Sequence, residues 1–314
     1  MGRAYSFLEI EQLARSAYGR PLWAVTVGEG ERRVLYSAAH HANEWLTATV
    51  LLKFIEDYAD ALQNDGQLGG IQARELYQTA SISLVPLVEP DGVDLVTGAA
   101  TEAEREQART LSEFYPNIPF PDGWKANLMG VDLNLQYPAG GLMAREIKFS
   151  QGYTRPGPRD FVGRAPLSQI EAQALCDFTQ RMDPRLVIAW HSQGQVIYWQ
   201  FGGIEVPGAR ELAERFAQVS GYRLEDTPYN SSFAGYKDWF IQSYRRPGFT
   251  IEVGTGENPL PVDQFDEIYA ASLPILLEGA TGLHRAAPVL EYGIAHGCGF
   301  RYWHFGICFP GGSL

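Results

Sequence analysis

His41 and Glu44 stand three residues apart in His41-Ala42-Asn43-Glu44-Trp45, straight after the apolar run Val34-Leu35-Tyr36-Ser37-Ala38-Ala39. A strand that ends in His-x-x-Glu and opens into a helix puts a neutral imidazole and a carboxylate on one face of the first turn, and both are good ligands for Zn²⁺. A third protein ligand must then come from elsewhere, with the fourth position open for water. His191 is the candidate. It closes the apolar run Arg185-Leu186-Val187-Ile188-Ala189-Trp190, and ligands of open α/β sheets bind at the carboxyl ends of strands. Alone, His191 reads better as a hydrogen-bonded core histidine; beside His41 and Glu44 the balance reverses.

Hydrolytic chemistry at such an ion needs a general base near the metal but not on it. Glu252 lies within Phe249-Thr250-Ile251-Glu252-Val253-Gly254, a carboxylate in an apolar strand. Carboxylates are seldom buried without a purpose, and desolvation lifts their pKa toward the range useful for proton transfer. The alternative is an ion pair with Arg245 or Arg246.

These residues must be positioned by alternating strands and helices, the signature of a layered α/β fold. Leu22–Val27 and Val34–Ala38 read as a strand pair around the turn Gly28-Glu29-Gly30. Glu44–Leu62 reads as a helix with Leu51, Leu52, Ile55 and Tyr58 on one stripe. Ser81–Val88 reads as a buried strand ending in the turn signal Glu89-Pro90-Asp91-Gly92, and Glu102–Glu113 as a surface helix. Residues 117–163, rich in proline and glycine, read as a long functional loop. Ser168–Met182 reads as a helix with Ser168 as N-cap and Glu171 at N3. Leu186–Trp190 and Phe249–Val253 read as strands; Pro207–Ser220, Gly235–Tyr244 and Val262–Glu278 read as helices.

The chain has 314 residues, 45% of them apolar, with 33 glycines and a formal net charge of −12. That is ample for a large core, and the acidic balance argues against nucleic acid as a partner. The apolar runs are too short to span a membrane. Three cysteines, Cys176, Cys298 and Cys308, are too few and too unevenly spaced for a disulfide framework. With no basic-then-apolar leader at the N-terminus, a cytoplasmic, reducing compartment is expected; a secreted origin stays open if the chain is a trimmed piece. Residues 1–283 are expected to form the catalytic domain. Residues 284–314 read as an extension of unknown order, whose His296, Cys298, His304 and Cys308 match no recognised zinc-knuckle spacing.

The ordered set of motifs resembles the carboxypeptidase A-like metallocarboxypeptidase family. In order, they are His41-x-x-Glu44-Trp45, Glu89-Pro90-Asp91-Gly92 (asparagine is usual at the first position), Trp124-Lys125-Ala126-Asn127, Gly130-Val131-Asp132-Leu133-Asn134, His191-Ser192, Lys237-Asp238-Trp239 and Thr250-Ile251-Glu252. The resemblance covers about residues 20–282. It implies a three-layer α/β/α sandwich around a mixed, mainly eight-stranded twisted sheet, one Zn²⁺ per chain and hydrolysis of a peptide bond. Carried over by position, His41, Glu44 and His191 match the zinc ligands and Glu252 the general base. Lys125 stands where the family commonly has the arginine that stabilises the oxyanion; lysine keeps the charge but lacks the bidentate fork. Asn134 matches a substrate-contacting residue, Asn43 the arginine or asparagine inside His-x-x-Glu, and Tyr229 or Tyr236 the mobile tyrosine over the site.

One departure limits the inference. The arginine that grips a C-terminal carboxylate in the family's exopeptidases is here Leu135, which removes the main charge-assisted bond of ordinary C-terminal recognition. Leu135-Gln136-Tyr137-Pro138-Ala139-Gly140, Ile147-Lys148-Phe149 and Pro156-Gly157-Pro158-Arg159-Asp160 look like the bacterial branch that cleaves the γ-D-glutamyl to meso-diaminopimelate bond of peptidoglycan peptides. Arg145, Lys148 and Arg159 could grip that substrate's carboxylates, or be solvated surface charges. Two competing readings are a zinc deacylase of small N-acyl amino acids and an inactive module that binds cell-wall peptides.

Overall fold

The computed structural model describes residues 5–282; Cys298, Cys308 and the histidines of the extension lie outside them. Three strands open the chain: β1 (Leu8–Arg15), β2 (Pro21–Val27) and β3 (Arg32–Ala38). A 3₁₀ turn at Ala42–Glu44 leads into α1 (Leu46–Gln63). A two-stranded hairpin of β4 (Gln67–Leu68) and β5 (Ile71–Gln72) precedes α2 (Ala73–Thr79) and β6 (Ala80–Val85). Then come α3 (Pro90–Thr97), α4 (Glu102–Ser112), α5 (Gly141–Ser150) and α6 (Ile170–Met182). After β7 (Leu186–Ser192) and β8 (Val196–Tyr198) follow α7 (Ala209–Ser220), β9 (Arg223–Glu225), α8 (Tyr236–Tyr244), β10 (Gly248–Val253) and α9 (Phe265–Thr281).

Eight strands form one mixed sheet in the order β1-β2-β6-β3-β7-β10-β8-β9. The central β6, β3, β7 and β10 run parallel, β1, β2 and β8 are antiparallel to their inner neighbours, and β8 and β9 are parallel to each other. Side chains alternate across the central strands as strand geometry demands. Tyr36, Ile188, Trp190, Phe249 and Ile251 pack with α1, α2, α7 and α9 on one face. Leu35, Val187 and Ala189 pack with α6 and α8 on the other. The result is the expected three-layer α/β/α sandwich. No described helix is long and apolar enough to cross a membrane.

Several local expectations change. β2 and β3 are not a pair, because β6 lies between them. The turn that joins them packs on the start of β6 instead of closing a hairpin: Glu29 N–H bonds Tyr77 O and Gly30 N–H bonds Ala80 O. A Cβ at Gly28 would come within 2.1 Å of Ala80 O. Glu89-Pro90-Asp91-Gly92 opens a helix rather than only a turn; Glu89 caps α3 by accepting the Gly92 N–H, and Pro90 suits a first helical position. The segment 117–163 contains α5 as well as loop. Ser168 does not cap α6: Gln169 is the N-cap, and Ser168 bonds the Gln136 side chain instead. On α1, Leu52 is exposed rather than part of the buried stripe.

Candidate active site

The site forms where β3 and β7 end. His41 is extended (φ −116°, ψ 138°) and the turn after it, which carries Glu44, is 3₁₀, not the first turn of α1. In that tighter helix residues three apart eclipse, which brings His41 and Glu44 together. The turn is tied down from both sides. Ala42 N–H and Asn43 N–H bond Lys125 O and Trp124 O, while Thr47 Oγ1 accepts from Ala39 N–H and donates to Glu44 O.

The Glu44 carboxylate is the hub. Oε1 lies 2.9 Å from His41 Nδ1 and takes Lys125 Nζ at 2.8 Å; Oε2 lies 2.9 Å from His191 Nδ1 and takes Ser192 N–H at 3.2 Å. The two Nδ1 atoms face each other at 3.3 Å. Ligand atoms of His41, Glu44 and His191 fall within 4.8 Å of one another, and the three residues are buried. Among the described residues no other group of histidine, cysteine or carboxylate side chains could hold a metal ion in this way.

Electrostatics point to a cation at this spot. Burial works against the imidazolium of His41, yet Glu44 and Asp132 overcome it and raise its pKa to about 9. Burial likewise opposes ionisation of Glu44, but His41 and Lys125 hold it well below the usual carboxylate range. A proton here stands where a cation is called for, and two imidazole nitrogens with one carboxylate are the donor set that suits Zn²⁺. His191, whose burial pushes its pKa down, is the neutral member.

Glu252 shares a rung with His191 in the parallel pairing of β10 and β7, so both side chains leave the sheet on the same face. No ion pair holds it among the described residues; Arg246 is spent on Asp183. Burial, reinforced by Glu44, pushes Glu252 up to about 8. A divalent ion beside it would draw that value down again, because an opposite charge favours the carboxylate.

Supporting residues lie behind these groups. Asp132 Oδ1 is 3.2 Å from His41 Nε2, and the same carboxylate accepts Asn134 N–H and Asp160 N–H. Holding Nε2 frees Nδ1 to face Glu44 and His191. In the sequence Asp132 stands inside its motif without an evident role; a carboxylate two residues before a candidate contact is the available signal. His40 was also missed. Its ring stacks on His191 with centroids 5.4 Å apart, and Nε2 reaches Tyr137 Oη at 3.2 Å.

The expected substrate residues divide. Asn134 accepts Tyr236 N–H at the start of α8. Asn43 is buried and donates to Asp122 O. Tyr229 is 62% exposed and edge-on to Phe233, whereas Tyr236 is wholly buried with its hydroxyl on Thr179, so of the two only Tyr229 has freedom to move. Arg145 is exposed with its guanidinium over the Phe149 ring, Lys148 is buried against Asp160, and Arg159 bonds Asp160 through Nε.

The Gamma-D-glutamyl-L-diamino acid endopeptidase 1 of Lysinibacillus sphaericus is 43% identical over 276 residues, which span 88% of this chain and 68% of that protein. An uncharacterised protein of Bacillus subtilis (strain 168) is 38% identical over 277 residues, spanning 87% of this chain and 72% of its own. Bovine thrombin-activatable fibrinolysis inhibitor, solved in complex with tick carboxypeptidase inhibitor, superposes with a TM-score of 0.69 at 16% identity, covering 90% of this chain and 93% of that one; it shares the fold. The zinc carboxypeptidase family profile matches residues 2–273, and on that match together with the 43% identical relative, the chain belongs to the zinc carboxypeptidase family and is a metallopeptidase.

Proposed function

We propose that this chain binds one Zn²⁺ through His41, Glu44 and His191 and hydrolyses the amide bond between a γ-D-glutamyl residue and a diamino acid such as meso-diaminopimelate in peptidoglycan-derived peptides. The observation that carries the catalytic half is the convergence of His41 Nδ1, His191 Nδ1 and the Glu44 carboxylate, with Glu252 on the rung beside His191. The substrate half rests on the 43% identical Lysinibacillus sphaericus endopeptidase and on Leu135, which cannot pair with a C-terminal carboxylate.

Bound there, zinc supplies Lewis acidity and makes water nucleophilic near neutral pH. Glu252 takes the proton of the attacking water on its carboxylate and returns it to the departing amine. Lys125 directs Nζ toward the oxygen of the scissile carbonyl as negative charge grows there; in the resting site the same ammonium rests on Glu44 Oε1. Asp132 fixes the ring of His41, and His40 backs the ring of His191.

Glu252→Gln tests the assignment. The amide keeps the shape of the side chain but cannot accept the proton, so turnover of L-Ala-γ-D-Glu-meso-diaminopimelate should fall by on the order of 10³-fold, with metal content held near one ion per chain. Product masses and metal analysis read both quantities. A variant as active as the parent removes Glu252 from the reaction.

A further inference from the structure

The segment between α4 and α6 sets two basic side chains on one acid. Asp160 takes Lys148 Nζ on Oδ1 at 2.6 Å and Arg159 Nε on Oδ2 at 2.7 Å. Its backbone lies in the left-handed region at φ 64°, where a residue other than glycine stays only when its surroundings hold it. The side chains of Lys148 and Asp160 are 10% and 12% exposed, a buried post rather than a surface contact. Two cations against one carboxylate leave a positive charge, in a chain whose formal net charge is −12.

That charge resides on Arg159. Its Nε is committed to Asp160, while no hydrogen bond among the described residues reaches Nη1 or Nη2, and 37% of the side chain meets solvent. Its place in the chain is fixed beside the site. Pro158 O accepts Lys125 N–H and Ala126 N–H, and Asp160 N–H bonds Asp132 Oδ2. Arg159 is thus rooted between the neighbours of Lys125, which touches Glu44, and Asp132, which touches His41. Arg145 is exposed over the Phe149 ring with no acid holding it among the described residues, and Lys148 is spent on Asp160, so of the three only Arg159 combines an anchored Nε with open Nη groups.

We propose that Arg159, aligned by the Lys148–Asp160 pair, is the specificity-determining clamp for a carboxylate flanking the scissile amide, either that of the γ-D-glutamyl residue or one of the diamino acid. The inference rests on the peptidase reading above. A guanidinium held at Nε presents its remaining N–H groups as a preset fork for a carboxylate, which a lysine cannot do. Lys148 and Asp160 touch no substrate; they are positioning residues.

Steady-state kinetics on three peptides test this. One is L-Ala-γ-D-Glu-meso-diaminopimelate, the second has its glutamyl α-carboxylate amidated, and the third has its diaminopimelate carboxylates amidated. The parent enzyme should prefer the free acid over one amide by about 10- to 100-fold in kcat/KM, carried by KM; the disfavoured amide identifies the carboxylate. Arg159→Ala should erase the preference, and Arg159→Lys should restore only part. Lys148→Met, which keeps Arg159 but frees Asp160, should lose part of it, a change that lowered stability alone would not produce. If Arg159→Ala keeps the preference, or loses kcat equally on all three peptides, the clamp is wrong. A parent enzyme that cleaves all three equally overturns the clamp alone; one that neither cleaves nor binds any of them overturns the peptidase reading and the clamp together.

Discussion

At the scale of single residues, the catalytic candidates were readable because their chemistry leaves marks in spacing and context. His41 and Glu44 are three apart, His191 ends an apolar run, and Glu252 interrupts another. Asp132 and His40 escaped because neither interrupts a pattern; each matters only through which ring it touches, a fact of folding. The same holds for Glu171, read as a helix-start residue. It is wholly buried near Glu89 and Asp91, and burial lifts its pKa from 4.5 to about 7, with Asp91 adding to the effect. The sign follows. Between those values the folded state holds a proton that the unfolded chain has released, so stability is greatest below the unfolded pKa and falls as pH rises through the folded one. Glu171→Gln should remove a penalty on the order of 1–3 kcal/mol at pH 8 and leave pH 4 nearly unchanged. Urea unfolding of both forms at several pH values, at fixed metal, reads it; a gap between them that does not widen with pH would contradict the placement.

At the scale of elements, the strongly periodic or uniformly apolar segments were legible: α1, α4, α7, β7 and β10 fall close to where the pattern puts them. The edge strands β1 and β9, and the short β8 beside β9, were not read as strands. β1 is largely exposed, and β8 and β9 are only three residues long, so none carries the buried signal of a central strand. The start of α3 was read as a turn because proline and glycine serve both. The structure gives that glycine a reason. A Cβ at Gly92 would meet Glu89 Oε2 at 2.4 Å, Ala126 O at 2.5 Å and Ala42 Cβ at 2.8 Å. Helix α3 therefore lies directly against the turn that carries His41 and Glu44. Gly92→Ala should push these apart, costing about 1–3 kcal/mol, and should weaken metal binding although residue 92 touches no ligand. Thermal unfolding with and without zinc, and chelator competition, measure the two effects; unchanged metal affinity would separate α3 from the site.

At the scale of the whole molecule, the layered architecture followed from alternating strands and helices, but the strand order did not. Nothing local announces that β6 slips between β2 and β3, because that choice depends on where a distant strand packs. The candidate metal pocket is likewise assembled from two parts of the chain, the end of β3 and the end of β7, and an ion held there would favour the folded state by mass action. Free zinc at one hundred times its dissociation constant should add about 2.7 kcal/mol to stability. A chelator should therefore lower Tm by several degrees, and readded zinc should restore it in a concentration-dependent way. A Tm indifferent to both would mean that the three ligands do not bind an ion in solution.

The side-by-side registration of residues 191 and 252 constrains how this protein can change. Lengthening the 55 residues from 193 to 247 leaves that pairing intact. Dropping one position within 248–251 while the ladder keeps its hydrogen bonds turns the acid through the sheet to the side of α1 and α9. The geometry of the candidate site therefore tolerates long detours of the chain but no slippage within one short strand.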